Sequence, residues 1–184
     1  MASAATPPPP EQEGPPGDPM AVARAICLRM LERKARSRSE LAQALTKRGV
    51  PDDAARRVLD RFGEVGLIDD AALAELVAST QHRERGLARR AVATKLRQRG
   101  FDDAVVGAAL DGIDQDDEHA KAFELATRRS QALVGLPVAV QTRRLVGLLA
   151  RKGYGAATAY QVVKQVLADS ADAAVLLEAD TADL

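Results

Sequence analysis

Apolar residues recur along this chain at helical spacing, and one arrangement of them occurs three times. Leu41 and Leu45 precede Lys47-Arg48-Gly49-Val50, Val92 and Leu96 precede Arg97, Arg99, Gly100 and Phe101, and Leu145 and Leu149 precede Arg151-Lys152-Gly153-Tyr154. In each copy two apolar residues four apart share a helix face. A basic turn follows, then a glycine, then another apolar residue. The glycines stand 51 and then 53 residues apart. A fixed period near 50 residues is the signature of a repeat architecture, whose units stack to bury a core that none could bury alone. Nine and ten residues after the glycines come Val58 and Leu59, Ala109 and Leu110, Val162 and Val163. These pairs are expected to pack on Leu41/Leu45, Val92/Leu96 and Leu145/Leu149.

The periodicity predicts nine helices in three sets: 20–35, 38–48 and 52–65; 69–84, 87–99 and 102–112; 115–134, 138–152 and 156–168. No segment reads as a strand. The fold class is all-α, with three tandem three-helix repeats at 21–68, 69–113 and 114–168. Punctuation supports the division. A glycine after a cationic last turn suits a left-handed C-cap, and the cations face the negative end of the helix dipole. Asp52 or Asp53, and Asp102 or Asp103, are placed to cap the helix that follows, and Ser39-Glu40 and Asp69-Asp70 mark further starts. Gly155 and Ala156 give the third copy a weaker start. Pro137 separates two helices. Residues 1–20, with Pro7–Pro10 and Pro15-Pro16, are expected to be a disordered tail, and 169–184 an acidic one.

Charge sharpens this picture. The net charge is zero, yet all 26 Lys and Arg lie in 21–168 with only 18 acids, leaving that segment formally +8 between acidic ends. A basic body of this kind suits an anionic partner. Cys27 is the sole cysteine, so no intramolecular disulfide forms. With no secretory leader pattern and no long apolar run, a cytoplasmic protein without membrane contact is expected.

No catalytic constellation can be assembled. His82 is expected to face solvent on a helix and His119 to sit in an acidic helix start, neither with ligand spacing. Cys27, between Ile26 and Leu28, suits a small core residue. The acidic run Asp111–Glu118 lacks the spacing of a calcium loop, and there is no phosphate-binding glycine loop. The expectation is a non-enzyme with no cofactor and no metal. The basic residues are the main candidates: Arg83, Arg85, Arg89, Arg90, Lys95, Arg97 and Arg99 fall within 17 positions against Glu84 alone. Arg33, Lys34, Arg36 and Arg38 form another group, and Arg56, Arg57 and Arg61 a third. Arg89, Arg90 and Arg97 share part of one helical face. A solvated face is the plain alternative to a partner-binding one. Aromatic residues are few, and Phe101 and Tyr154 belong at the post-glycine core position, which argues against a base-stacking platform.

Arg36-Ser37-Arg38-Ser39-Glu40-Leu41, then Lys47-Arg48-Gly49, then Gly66-Leu67-Ile68-Asp69-Asp70, and on through Arg83, Gly86 and Leu96-Arg97-Gln98-Arg99-Gly100-Phe101, together resemble the RecX family of bacterial regulators of the recombinase RecA. The resemblance spans about 21–168. Leu73-Ala74 stands where family members often have Phe-Ala, and the first helix lacks their aromatic near Cys27-Leu28. What the resemblance implies is an elongated, curved helical array that lies in the groove of the RecA–DNA filament and inhibits ATP hydrolysis, strand exchange and co-protease activity. The partners would be RecA and its DNA filament, with weak nonspecific DNA binding, and the protein would act as a monomer. The family supplies no catalytic residues. Contacts are therefore assigned by charge to Arg83, Arg85, Arg89, Arg90, Lys95, Arg97 and Arg99, with Arg56 and Arg57. The alternative is a helix-turn-helix transcription regulator, which residues 38–68 superficially fit. Its wing would need strands after Ile68, where Asp69-Asp70-Ala71 starts a helix instead.

Overall fold

The computed structural model describes the backbone of residues 17–182 and the side chains through 171. Among these residues the structure is all-helical, and its α-helices are α1 Pro19–Arg33, α2 Arg38–Thr46, α3 Asp52–Glu64, α4 Asp70–Arg83, α5 Arg89–Gln98, α6 Asp103–Leu110, α7 Gln115–Ser130, α8 Val138–Arg151 and α9 Ala156–Ala182. A single 3-10 turn, Gln131–Leu133, extends α7. The chain divides into two compact units, one ending at Ile68 and the other beginning at Asp69.

Most starts have a local cause. Asp18 caps α1 with proline in its first turn, so that helix begins inside the expected N-terminal tail. Most of the expected tail, residues 1–16, lies outside the described residues. At α2 the cap is Ser37, two residues before the expected start signal. Its hydroxyl accepts from the Glu40 N–H while the Glu40 carboxylate accepts from the Ser37 N–H, a reciprocal capping box. Asp69 and Asp102 cap α4 and α6 in the expected way, and Asp114, from the acidic run, caps α7 with a capping box to Asp117. The start of α3 departs from expectation. Pro51 occupies the cap position with no side-chain bond, and Asp52 and Asp53 lie in the first turn, where their charge favours the dipole without capping it. The last helix also departs, running to Ala182 instead of ending near 168. No glycine or proline interrupts 156–182, and its alanines carry high helix propensity, so nothing local stops it.

The first unit packs α1, α2 and α3 around Leu41, Leu45, Val58, Leu59 and Phe62, with Ala23 and Cys27 closing the core from α1. Burial pushes the Cys27 thiol above its ordinary pKa, which leaves it a neutral apolar filler. The second unit has two clusters. One joins α4, α5 and α6 through Leu73, Ala74, Val92, Leu96, Phe101, Ala109 and Leu110. The other joins α7, α8 and α9 through Ala122, Leu125, Leu145, Leu149, Tyr154, Val162 and Val163, and includes Ala88 from the start of α5. The three predicted sets of apolar pairs are thus all core. Val50, Phe101 and Tyr154 are buried directly after their glycines.

Gly107 lies inside the eight-residue helix α6, and a methyl group there would meet nothing within 4 Å. Alanine loses less backbone entropy on becoming helical. Gly107→Ala is therefore expected to stabilise the protein by roughly 0.5–1 kcal/mol, read as a raised urea midpoint with unchanged slope.

Candidate partner-binding surface

The candidate basic residues do not form one set. Arg56 and Arg57 are exposed on α3 and belong to the first unit. In that unit Arg38 pairs with Asp60, and Arg61 with Glu64. The other seven candidates belong to the second unit, on the end of α4, the loop after it, α5 and its C-cap. Arg83, Arg85, Arg90, Lys95 and Arg97 are exposed there. Arg97 pairs with Asp103 at 2.7 Å, with both side chains more than half exposed, so the pair contributes little to stability. Arg99 is half-buried, its guanidinium 5.5 Å from the centre of the Phe101 ring.

Arg89 differs from its neighbours in kind. Its Nη1 donates to the carbonyls of Leu110 and Ile113 at 2.6 and 2.8 Å, and its Nη2 lies 3.7 Å from Asp111. It satisfies carbonyls at and just beyond the C-terminal end of α6, where a cation also suits the helix dipole. Its backbone N–H donates to Glu118 Oε1 of α7 at 2.7 Å. That carboxylate supplies a cap which Ala88 cannot, since α5 has no side-chain cap of its own. Arg89 is a fastening in the second unit, and charge reversal there would not be the benign surface change its sequence neighbourhood suggests.

The same junction has three further ties. The Ala88 N–H donates to the Lys152 carbonyl at 3.0 Å, the Lys152 ammonium donates to the Arg85 carbonyl, and the Tyr154 hydroxyl donates to the Gly86 carbonyl at 3.2 Å. Burial, with Glu118 and Glu124 nearby, pushes the Tyr154 phenol above its ordinary pKa and keeps it a neutral donor. These bonds orient the loop 84–88, which carries Arg85, and the start of α5, which carries Arg90.

His82 does not face solvent as expected. It is buried at 5 % exposure, and its Nδ1 lies 2.9 Å from the Leu87 carbonyl. The chain turns back after α4, so the last turn of that helix is covered. The 3.6-residue pattern along α4 alone does not reveal such a turn. His82 borders a cleft of about 460 Å³ with Glu75, Arg83, Asp117, Lys121 and Glu124. Lys121 hydrogen-bonds Glu124 and holds that carboxyl below its ordinary pKa. Among the described residues no group of three or more His, Cys, Asp or Glu could hold a metal ion.

A further concentration of charge lies outside the cations singled out from the sequence. Arg129 on α7 and Arg143, Arg144 and Arg151 on α8 line a shallow cleft of about 580 Å³, with Leu148 the remaining lining residue among those described. All four arginines are exposed, and among the described residues no carboxylate lines the cleft. The available signal was the composition of α8, which has three arginines and no acid across Val138–Arg151.

The comparisons with known proteins fit this architecture. Residues 23–62 match the RecX first three-helix domain, and residues 69–110 the RecX second three-helix domain. The regulatory protein RecX of Thermobifida fusca is 50% identical over 162 residues, covering 85% of this chain and 88% of the relative. The chain belongs to the RecX family. A second relative, the regulatory protein RecX of Streptomyces coelicolor, is 45% identical with 88% of this chain covered and 86% of its own. The crystal structure of RecX from Lactobacillus salivarius superposes with a TM-score of 0.70 at 17% identity, over 82% of this chain and 96% of that one. A second RecX crystal structure gives 0.67 at 22% identity, over 80% and 72%. These relatives are named as regulatory proteins, and the RecX fold accounts for the three-helix sets. No winged-helix strand follows Ile68, because α4, capped by Asp69, begins there. No described helix is long and apolar enough to cross a membrane.

Proposed function

We propose that this RecX-family chain is a negative regulator of RecA, which binds the RecA–DNA filament and suppresses its ATP hydrolysis, strand exchange and co-protease activity without chemistry of its own. The observation that carries the reading is 50% identity to a regulatory protein RecX across 85% of the chain. The exposed cations of α4, α5 and the loop between them supply a physical means. A filament of protein wound on DNA presents phosphate and acidic side chains, and exposed guanidinium groups add steering and affinity toward both. Arg83, Arg85, Arg90, Lys95 and Arg97 are the proposed contacts, with Arg56 and Arg57 contributing from the first unit. Arg89 is excluded from this role because its side chain is committed to Leu110, Ile113 and Asp111. The protein works in the cytoplasm, where RecA works, and as a monomer.

The test is single-stranded-DNA-dependent ATP hydrolysis by RecA with and without the protein. Wild type is expected to inhibit, and less so as salt rises through the physiological range. The triple variant Arg85→Glu, Arg90→Glu, Arg97→Glu is expected to melt like wild type and inhibit at least about tenfold more weakly, a loss of roughly 1.4 kcal/mol. A folded variant that inhibits as well as wild type would move the contact surface elsewhere. A wild-type protein without effect on RecA would end the proposal.

A further inference from the structure

The cleft that His82 borders is formed by α4, α7 and the end of α6, and among its described lining residues only Arg83 is assigned to RecA contact. We propose that this cleft binds a linear aliphatic polyamine, held along its length by carboxylates and by the His82 ring. The inference goes beyond the regulatory reading and needs no RecA for its test.

His82 gives the first argument. It is buried at 5 % exposure, with Nδ1 2.9 Å from the Leu87 carbonyl. A carbonyl only accepts, so Nδ1 carries a proton and Nε2 of the neutral ring keeps a lone pair. The two ring nitrogens point in nearly opposite directions, which turns Nε2 away from Leu87. Among the described residues Nε2 has no hydrogen-bond partner, and it is not one of the atoms sealed from solvent. The ring lines the cleft, so Nε2 opens into it. A buried acceptor placed in this way is satisfied by a donor on whatever fills the cleft.

The surrounding charge says what kind of donor. Glu75, Ser79 and His82 follow one face of α4 at spacings of four and three, and Asp117, Lys121 and Glu124 repeat that spacing on α7. Lys121 is engaged by Glu124, which leaves Glu75 and Asp117 against Arg83. Glu75 makes no hydrogen bond or ion pair among the described residues. The last turns of α4 and α6 also reach the cleft, and a helix C-terminus carries partial negative charge. The positive start of α7 is offset by Asp116, Asp117 and Glu118 in its first turn. This field favours a cation.

Length decides which cation. Each face runs over seven residues, roughly 10 Å at the helical rise, so the acceptors are strung out and not gathered. Among the described residues no group of three or more His, Cys, Asp or Glu could hold a metal ion. A polyamine carries ammonium groups at intervals, each with several N–H donors. Its methylenes would lie on Ala108, Ala109, Ile113 and Ala120, which line the cleft between the polar faces. These side chains are too small to fill the gap between two helices, and the volume they leave, about 460 Å³, is that of a small-molecule site.

The experiment is calorimetric titration of spermidine into the full chain at about 0.1 M salt. Wild type is expected to bind one molecule with a dissociation constant below about 1 mM. The double variant Glu75→Gln, Asp117→Asn should melt like wild type, since both side chains are exposed, and bind at least about tenfold more weakly. His82→Asn should also lose about tenfold. Its amide nitrogen replaces Nδ1 and still donates to the Leu87 carbonyl, whereas nothing replaces Nε2. Hexamethonium, an elongated dication without N–H groups, should not displace spermidine. Absence of wild-type binding up to about 10 mM would overturn the proposal. So would unchanged affinity in either folded variant, or displacement by hexamethonium as readily as by unlabelled spermidine. Tighter binding of tetralysine than of spermidine would overturn it in favour of a basic protein segment. If His82→Asn melts below wild type, the double variant and hexamethonium carry the test. None of these outcomes depends on whether the protein inhibits RecA.

Discussion

Gly153→Val is expected to destabilise the protein by roughly 3 kcal/mol or more. Two independent costs meet at this residue. Its φ is +94°, in the region where a β-carbon crowds the backbone, costing about 1–2 kcal/mol and more for a β-branched side chain. The β-carbon would also lie 2.6 Å from the Ala91 β-carbon and 3.4 Å from the Ala91 nitrogen. Ala91 sits near the start of α5, where the Ala88 N–H, the Arg85 carbonyl and the Gly86 carbonyl bond to residues beside Gly153. Room made for the new side chain would therefore stretch bonds, and overpacking of this sort costs about 1–3 kcal/mol. Gly49→Val is the internal control. Gly49 ends the corresponding helix of the first unit at φ +71° but has nothing within 4 Å of a β-carbon. It should show the conformational cost alone. Urea unfolding by circular dichroism gives both values, and hydrogen exchange should place the Gly153 loss in the second unit. Equal losses in the two variants would mean the Ala91 contact relaxes freely.

Arg89→Ala is expected to lose about 2 kcal/mol, while Arg90→Ala beside it should change stability by less than about 0.5 kcal/mol. Removing Arg89 leaves the Leu110 and Ile113 carbonyls without their side-chain donor, and Asp111 without its cation. A hydrogen bond from a charged donor contributes about 1.5–3 kcal/mol, and the 42% exposure of this side chain holds the total near the lower figure. Arg89→Lys should recover part of the loss, since one ammonium keeps the charge but cannot reproduce the planar fork. Thermal melts of the three variants decide the matter. If Arg89→Ala and Arg90→Ala melt alike, Arg89 is as available to a partner as its neighbours.

The helices were legible because their causes are local. Two apolar residues four apart, such as Val92 and Leu96, share a face on any α-helix, and Asp69, Asp102 and Pro137 act on the turn beside them. The glycine positions were legible for the same reason, since a positive φ is a property of one residue, and Gly49, Gly100 and Gly153 all have it. Even the misplaced end of α9 was a matter of weighing local signals, with an uninterrupted alanine-rich stretch outweighing its acidity.

The role of each basic residue, by contrast, came from packing between helices. Arg89 and Arg90 are adjacent and chemically identical in the sequence. One reaches residues 21 and 24 positions away, and the other stays in solvent. The cap on α5 comes from Glu118, 29 residues distant, and no helix-start pattern could register it. His82 is buried because the chain folds back over the end of α4. The four arginines of the α7–α8 cleft are split between positions 129 and 143–151, so a scan for dense charge passes over them. Local chemistry along the chain was enough to set the helices, their apolar faces and the repeat. Side chains from separate helices meet only when those faces pack, and that packing settled which cations fasten the fold and which face outward.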